Sequence, residues 1–417
     1  MKQGTKRGSY LLFLVVMLAL QGCSEEPAVP VTDFGVPWTT EPEFEFGEGV
    51  NGTSDASFAL ISAVRVLGDG DRILVVEAAS LRATIWTPDG SLLRDVGRPG
   101  EGPGEFAGQF GVQMHHEGFT AIDYGGQRFT SFSSDGTFIE SIPFPPSPLG
   151  GAGLRRRVLL EDGSMLAIPG FSPLDMWGFD GRPPIESLPV LFLSEKDGQW
   201  GLDTVAVLDT RNRALVIVPE GTPVYGGIQT EQMLGDYDLT WFDPIAGSVV
   251  VVRRNLGPGV VDLAEIGADG DTAWHRRLSP PPVRLGPERT ASYVDGLARQ
   301  LSGSGGRTFA TMRAAVQEAL YLPDPLPGAA RVRGTVSREI WFSGFETEDS
   351  LTAWYSVRRN GGPGGVRRIL VPSGFAVMDA TDTHVWGYRR DDLGVQYVVG
   401  RRLVRPVDAD RAEEGTR

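Results

Sequence analysis

The chain has 417 residues, with 39 basic and 53 acidic side chains, and its formal net charge is −14 at pH 7. This acidic balance argues against a nucleic-acid partner and against electrostatic docking on an anionic lipid surface. A single cysteine excludes an intramolecular disulfide framework.

The first 22 residues have the parts of an export signal. A positive head precedes the apolar run Tyr10–Leu20, which is too short to span a bilayer. Leu20, Gly22 and Cys23 then resemble a bacterial lipobox, whose cysteine receives lipid. We expect residues 1–22 to be removed and acylated Cys23 to anchor the exported chain in the bilayer of a bacterial envelope, on the outer membrane or the periplasmic face. The alternative is an ordinary signal peptide with an incidental cysteine.

Composition divides the rest of the chain into three parts. Residues 23–42 are rich in proline and acid and predict an extended tether. Residues 43–405 predict one folded unit, because no linker interrupts them, and residues 406–417 predict a disordered tail.

Two early segments repeat the same pattern. Arg72–Gly97 contains an apolar strand, a turn, a second strand, a Pro-Asp-Gly turn and a third strand, and Gly118–Phe144 repeats it with Ser-Asp-Gly. Strand-length apolar runs broken by Gly, Asp and Pro every 8–12 residues indicate an all-β fold, and Asp-Gly is a hairpin signal.

Four weaker copies follow, beginning at Leu154, Tyr237, Val332 and Phe375. Each full unit supplies four strands, but the sixth, Phe375–Val404, supplies only three. We expect the segment Glu43–Gly49 to provide the missing outer strand, so that strands from both ends of the chain close a ring with few open edges.

One stretch between units four and five is helical in pattern. Gly286–Leu301 and Arg307–Leu322 predict a helical hairpin over about residues 286–322, with Pro287 suited to a first helical turn. It could cap the ring for stability, or it could serve as a lid over the central opening or as a partner surface.

The blade pattern carries a resemblance to a known family. Strands such as "RILVVE", "ATIWTPDG" and "LLRDVG", joined to the connection Gly100–Phe106, resemble six-bladed β-propellers related to NHL-repeat proteins, in particular secreted or lipid-anchored bacterial ones. The resemblance is sharpest over residues 58–144 and extends to 404. It implies an all-β, six-bladed propeller of four-stranded blades. It implies little about activity, because related propellers range from protein-binding modules to lyases and lactonases.

The glycine-rich segment Val96–Phe106 is not a phosphate-binding loop. It lacks the Lys and the Ser or Thr of a P-loop, and its two glutamates would repel phosphate. We expect a tight crossover between blades, with Phe106 inserted between them.

Candidates for catalysis or metal binding are weak. The four histidines show no His-x-x-His spacing, no Ser nucleophile motif is present, and the lone cysteine cannot form a zinc cluster. Calcium held by carboxylates stays open at Asp69–Arg72, at Asp379–Asp382 and at the pair Asp391 and Asp392, although each is more simply a turn. We therefore assign no catalytic, metal or cofactor-binding residue.

Arginine clusters recur in units three to six. If they face the central opening they could bind an anionic ligand. If they lie on edge strands they are surface charges paired with the many acids. The candidate ligand-binding residues are Arg156, Arg254, Arg358 and Arg389, with Trp177 as an aromatic wall.

These observations favour a binding or scaffolding module at the cell envelope, with a protein or a small molecule as ligand. The alternative is a propeller enzyme, lactonase- or lyase-like, with a divalent cation in the central opening. Carboxylates or imidazoles converging on the ring axis would favour the enzyme, whereas arginines and aromatics would favour ligand binding.

Overall fold

A computed structural model describes residues 30–50, 57–77, 80–149, 153–170, 185–217, 228–302, 307–359 and 365–406. Cys23, Trp177, the signal segment 1–22 and the tail after residue 406 lie outside the described residues.

The described strands form six four-stranded antiparallel sheets in chain order. Blade 1 contains β2 (Ile61–Leu67), β3 (Arg72–Glu77), β4 (Arg82–Trp86) and β5 (Leu92–Val96). Blade 2 contains β6 (Phe110–His115), β7 (Gly118–Asp123), β8 (Arg128–Ser133) and β9 (Phe138–Pro143). Blade 3 contains β10 (Gly153–Leu159), β11 (Met165–Gly170), β12 (Ser187–Lys196) and β13 (Gln199–Asp209).

The second half of the ring repeats this order. Blade 4 contains β16 (Leu239–Asp243), β17 (Ser248–Arg253), β18 (Val261–Gly267) and β19 (Thr272–Leu278). Blade 5 contains β20 (Arg331–Gly334), β21 (Glu339–Glu348), β22 (Leu351–Arg358) and β23 (Val366–Pro372). Blade 6 contains β24 (Phe375–Ala380), β25 (His384–Arg390) and β26 (Gln396–Val404), completed by β1 (Thr39–Phe46). The structure is a six-bladed β-propeller, as predicted.

Closure joins the two ends of the chain. Strand β1 pairs antiparallel with β26, from Thr39 opposite Val404 to Phe46 opposite Val398. The predicted closing strand, Glu43–Gly49, is therefore correct in role, but the observed strand begins four residues earlier. Phe46 is fully buried and packs against Phe58 and Trp86 of the first blade. The closing strand therefore contributes to the core between the last and first blades.

Residues ahead of the closing strand are also bound to the ring. Backbone hydrogen bonds join Val31 to the outer strand of blade 4 through Arg277, at 3.0 Å, and Trp38 to the outer strand of blade 5 through Arg368, at 2.8 Å. The part of the predicted tether from Val31 onward is thus bonded along the rim of the ring. The composition of this segment does not predict the arrangement. Its contacts are isolated bridges, and its sequence has no apolar pattern of strand length.

The connection from blade 1 to blade 2 confirms the predicted crossover. Phe106 is fully buried in a core shared by blades 1 and 2 and stacks on Phe110 with a centroid distance of 3.9 Å. Arg128 of blade 2 donates hydrogen bonds to three carbonyl groups of the loop, including that of Glu105 at 2.8 Å. The glutamates serve the loop itself, since Glu105 accepts from the backbone N–H of Gly102 and pairs with Arg98.

The predicted helical hairpin lies between blades 4 and 5, as α1 (Pro287–Leu301) and α2 (Phe309–Ala319). The helices pack on each other and on a small hairpin that the sequence analysis did not predict, β14 (Ala214–Ile217) with β15 (Ile228–Glu231). Among the described residues, neither helix is long and apolar enough to cross a membrane.

We predict that Phe46→Ala lowers the free energy of unfolding by about 3–5 kcal/mol, because truncation leaves a cavity where the ring closes. Chemical denaturation measures this. Phe138→Ala is the matched control, since Phe138 is 39% exposed on an outer strand, and should cost less than about 1.5 kcal/mol. Equal losses at the two sites would show that the closing strand adds no special stability.

A second prediction concerns two glycines in hairpin turns. Gly136 lies between the third and fourth strands of blade 2, and Gly163 lies between the first and second strands of blade 3. Gly136 and Gly163 have nearly the same positive φ, 80° and 83°. A Cβ at Gly136 would lie 2.5 Å from Val96 of the preceding blade, whereas a Cβ at Gly163 meets nothing within 4 Å. Both alanine variants carry the left-handed penalty of about 1–2 kcal/mol. Gly136→Ala should cost about 1–3 kcal/mol more, because blade 1 must shift; equal melting temperatures would contradict this.

Candidate functional site

A cavity of about 710 Å³ lies where the six inner strands meet. Each of β2, β6, β10, β16, β20 and β24 contributes at least one lining residue. Most other contributions come from the loops that follow inner strands, such as Asp69, His116 and Arg338. The cavity therefore lies on the ring axis, where the propeller fold brings together residues that are far apart in sequence.

Its walls are largely apolar and aromatic. The apolar and aromatic side chains of the lining are Val112, Met114, Ile122, Trp241, Phe242 and Ile245. Trp241 lies directly on Gly334, where a Cβ would come within 2.1 Å of the indole nitrogen. Glycine at this position of blade 5 therefore allows the indole of blade 4 to lie against the neighbouring strand.

Arg65 and Arg333 extend into the cavity from blades 1 and 5. The Arg65 guanidinium lies 5.4 Å from the ring centroid of Trp241 and donates to the backbone carbonyl of Met378. That carbonyl belongs to a β-bulge in β24. Arg333 donates to the carbonyl of Val332 at 2.8 Å.

Arg157 reaches the cavity from blade 3. Its guanidinium lies 6.0 Å from the ring centroid of Phe242, and its buried Nε atom has no hydrogen-bond partner among the described residues. It has no pairing partner on β11, because Arg156 pairs with Ala167 and Val158 with Leu166. This bulge re-aims the side chain of Arg157.

The three arginines share an unfavourable electrostatic environment. Burial lowers the pKa of Arg65, lowers that of Arg157, and lowers that of Arg333 to about 10, with the charge of Arg65 acting on Arg333 in the same direction. Within the described parts of the chain, none of the three forms an ion pair within 4.0 Å. Of the described carboxylates, Asp379 acts on Arg65, and its charge opposes the larger effect of burial on the pKa of Arg65. No carboxylate is among the groups that act on Arg157 or Arg333.

The carboxylates that border the cavity are engaged elsewhere or lie outside its buried part. Asp379 is 1% exposed and accepts from the backbone N–H groups of Val66, Val336 and Ala380. Asp243 accepts from two N–H groups of its own turn and pairs with Arg359. Asp69 is exposed in a turn. Of these three, Asp379 connects blades 6, 1 and 5 at the axis and is thus a structural element of the ring.

The imidazoles show no metal-binding arrangement. His115 and His116 both border the cavity, and burial lowers the pKa of His115. His275 lies on the outer strand of blade 4, as predicted, 2.7 Å from Asp262. Across the residues that the structure describes, no three His, Cys, Asp or Glu side chains come together in a group that could hold a metal ion.

The arginines singled out from the sequence do not line the cavity. Arg156 is 8% exposed and lies 4.4 Å from the ring centroid of Phe144, and Arg254 is 2% exposed and donates to the carbonyls of Tyr237 and Ala329.

The other two candidates form ion pairs on the blades. Arg358 pairs with Glu339 at 2.9 Å, and Arg389 pairs with Glu45 of the closing strand. Ligand binding by these four residues stays a prediction, and Trp177, the fifth candidate, lies outside the described residues.

The sequence analysis did not single out the arginines that do line the cavity. Arg65 is a lone arginine in "AVRVL", and Arg333 follows Arg331 in "RVRG", so neither belongs to a run of adjacent arginines. The sequence feature that could have identified them is their position on the first strand of a repeat. Clustering with other arginines does not identify them. Arg157 belonged to the recognised cluster Arg155–Arg157, but only the bulge decides which member enters the cavity.

Comparison with known proteins gives structural similarities at low identity. No protein-family model and no curated protein matches the sequence. A protein of Bacteroides fragilis that is proposed to be exported is 11% identical, with 88% of this chain and 96% of that chain covered and a TM-score of 0.40. A DUF4221 family member from Bacteroides vulgatus is 8% identical, with 89% and 99% covered and a TM-score of 0.40. A streptogramin B lyase is 10% identical, with 87% and 97% covered and a TM-score of 0.38. No activity is transferred from these similarities.

We predict that Asp379→Ala destabilises the ring by about 3 kcal/mol or more, because three buried N–H groups lose their acceptor. Asp379→Asn should cost less, since one amide oxygen can still accept from Val336 and Ala380 while the bond to Val66 is lost. Thermal and urea denaturation measure both variants. An alanine variant no less stable than the asparagine variant would contradict this role.

Proposed function

We propose that this protein is an exported, lipid-anchored propeller that binds a small anionic ligand in its axial cavity. The observation that carries the proposal is the set of three partly buried arginines, Arg65, Arg157 and Arg333, which share one cavity and lack ion-pair partners within the described structure.

The cost of this arrangement supports the proposal. Buried charges in proteins are normally paired, because removing a charge from water is unfavourable unless a partner compensates. Arg65 and Arg333 also repel each other, as the lowered pKa of Arg333 indicates. A bound anion would compensate the desolvation and the repulsion together. Strongly perturbed groups in a concave site are a recognised mark of functional sites.

The side-chain chemistry supports an anion in particular. A guanidinium presents several N–H donors in a planar fork that matches carboxylate or phosphate oxygens. Apolar and aromatic walls with a few polar groups are typical of small-molecule sites, and a cavity of about 710 Å³ lies within the usual range of roughly 300–1,000 Å³. The lactonase- or lyase-like alternative has one supporting observation, because three aspartates and two histidines border the same cavity. It is not developed, since no three His, Cys, Asp or Glu side chains of the described residues form a group that could hold a metal ion.

The anchor would hold this cavity near a membrane. Cys23 precedes Val31 by eight residues, and Val31 is bonded to the rim of blade 4. A fully extended segment of that length spans at most about 30 Å. An acylated Cys23 would therefore keep the ring close to the bilayer, with blade 4 nearest the anchor.

Calorimetric titration of the purified protein at low ionic strength tests the proposal, with benzoate, octanoate, suberate and inorganic phosphate as probes. We expect at least one probe to bind with a dissociation constant below about 1 mM. We expect Arg333→Met to weaken that binding at least ten-fold, because it removes the charge and the N–H donors while keeping an unbranched apolar stem.

The melting temperature separates a binding role from a structural one. Arg333→Met should melt no lower than the unliganded wild type, because the variant removes a desolvated and repelled cation. Arg402→Gln is the control: Arg402 lies outside the cavity, pairs with Glu41 of the closing strand, and its substitution should keep probe affinity. The proposal fails if no probe binds, or if the control loses as much affinity as Arg333→Met.

A further inference from the structure

The cavity arginines fall into two groups on the two sides of strand β16. Arg65 lies over Trp241, and Arg157 lies over the next residue, Phe242. Consecutive residues of a strand point to opposite faces. Trp241 accordingly lies on Gly334 of blade 5, whereas Phe242 packs with the core shared by blades 3 and 4.

The electrostatic environments agree with this separation. Burial lowers the pKa of Arg333 most, and the charge of Arg65 lowers it further, so Arg65 and Arg333 share one electrostatic environment. The groups that act on Arg157 are different, namely Tyr124, Arg155 and Arg213. We define a first subsite by Arg65, Arg333 and Trp241, and a second subsite by Arg157, Phe242 and Tyr124.

Apolar side chains form the rest of the shared lining, among them Val112, Met114 and Ile245. A single small anion would occupy one subsite and leave the cation of the other unpaired. A ligand with an acidic group at each end and an apolar middle would pair both subsites and cover the apolar wall.

We infer that the cavity binds a low-molecular-weight organic diacid, with one acidic group held by Arg65 and Arg333 and the other by Arg157. This inference rests on the proposed function, because it names the chemical class of the ligand for the same cavity. Trp241 and Phe242 flank the two acidic ends, since each aromatic ring lies beside the arginine of its own subsite.

Titration with linear dicarboxylates tests the inference. Succinate, adipate, suberate and sebacate vary the distance between the carboxylates, and octanoate supplies one carboxylate on a chain as long as that of suberate. We expect affinity to pass through a maximum along the diacid series, because only one spacing satisfies both subsites. The best diacid should bind at least ten-fold more tightly than octanoate, since a second charge-assisted contact contributes about 1.5–3 kcal/mol.

Variants assign the two ends. Arg157→Met and Arg333→Met should each reduce the affinity of the best diacid to about that of octanoate, whereas Arg402→Gln should leave it unchanged. Circular dichroism and the melting temperature verify folding. If Arg157→Met does not fold, Arg157→Lys replaces it, with an expected loss of at least three-fold because the bidentate fork is absent.

The possible results distinguish failure of the two-subsite inference from failure of the proposed anion-binding function. If octanoate binds as tightly as every diacid, or if Arg157→Met folds and leaves diacid affinity unchanged, the two-subsite inference is wrong and an anion site at Arg65 and Arg333 remains. If neither the diacids nor the monoacid and phosphate probes bind, the anion-binding function itself is wrong.

Discussion

The structure depends on the pairing of β1 with β26. Each blade exposes a large apolar face that only a neighbouring blade can cover, so an open row of six would leave both terminal faces in water. The pairing joins residues almost a full chain length apart, from Thr39 with Val404 to Phe46 with Val398. Phe46 then enters the core of the first blade, so the same short segment supplies both the last strand and part of an inter-blade contact. Binding of Val31 and Trp38 to blades 4 and 5 extends the closure along half of the rim.

Closure also determines what lies on the axis. Six inner strands converge there, and three of them, β2, β10 and β24, contain a bulge. A bulge frees backbone groups and turns side chains away from the regular alternation. At Met378 the freed carbonyl accepts from Arg65, and at Arg157 the side chain enters the cavity.

Asp379 accepts hydrogen bonds from backbone N–H groups of three blades with one carboxylate. Carboxylate charge at the axis thus holds the ring and also acts on Arg65, whereas no described carboxylate pairs with Arg157 or Arg333.

Much of the fold could be predicted because short-range sequence patterns determine its strands, turns and helices. Apolar runs of strand length, Asp-Gly turns and the missing strand of unit six led to the ring, and the apolar face of the second helix led to the helical hairpin. The hairpin of β14 and β15 was missed because it is short and has no counterpart in the repeat. The rim contacts of Val31 and Trp38 were missed because an isolated backbone bridge leaves no periodicity. Arg156 was chosen over Arg157 because strand alternation in sequence carries no information about a bulge.

The topology places most of the loops that border the cavity on the face opposite two insertions, the hairpin of β14 and β15 and the helical hairpin. Tyr124, which follows β7, is an exception. In an antiparallel four-stranded blade, the loop after the inner strand and the connection after the outer strand leave from opposite faces of the ring. Asp69, His116, Ile245 and Arg338 follow inner strands, whereas both insertions follow outer strands. No described residue of either insertion lines the cavity. A ligand entering past the inner-strand loops would therefore not meet the helices, and their packing on β14 is in keeping with a stabilising cap rather than a lid over those loops.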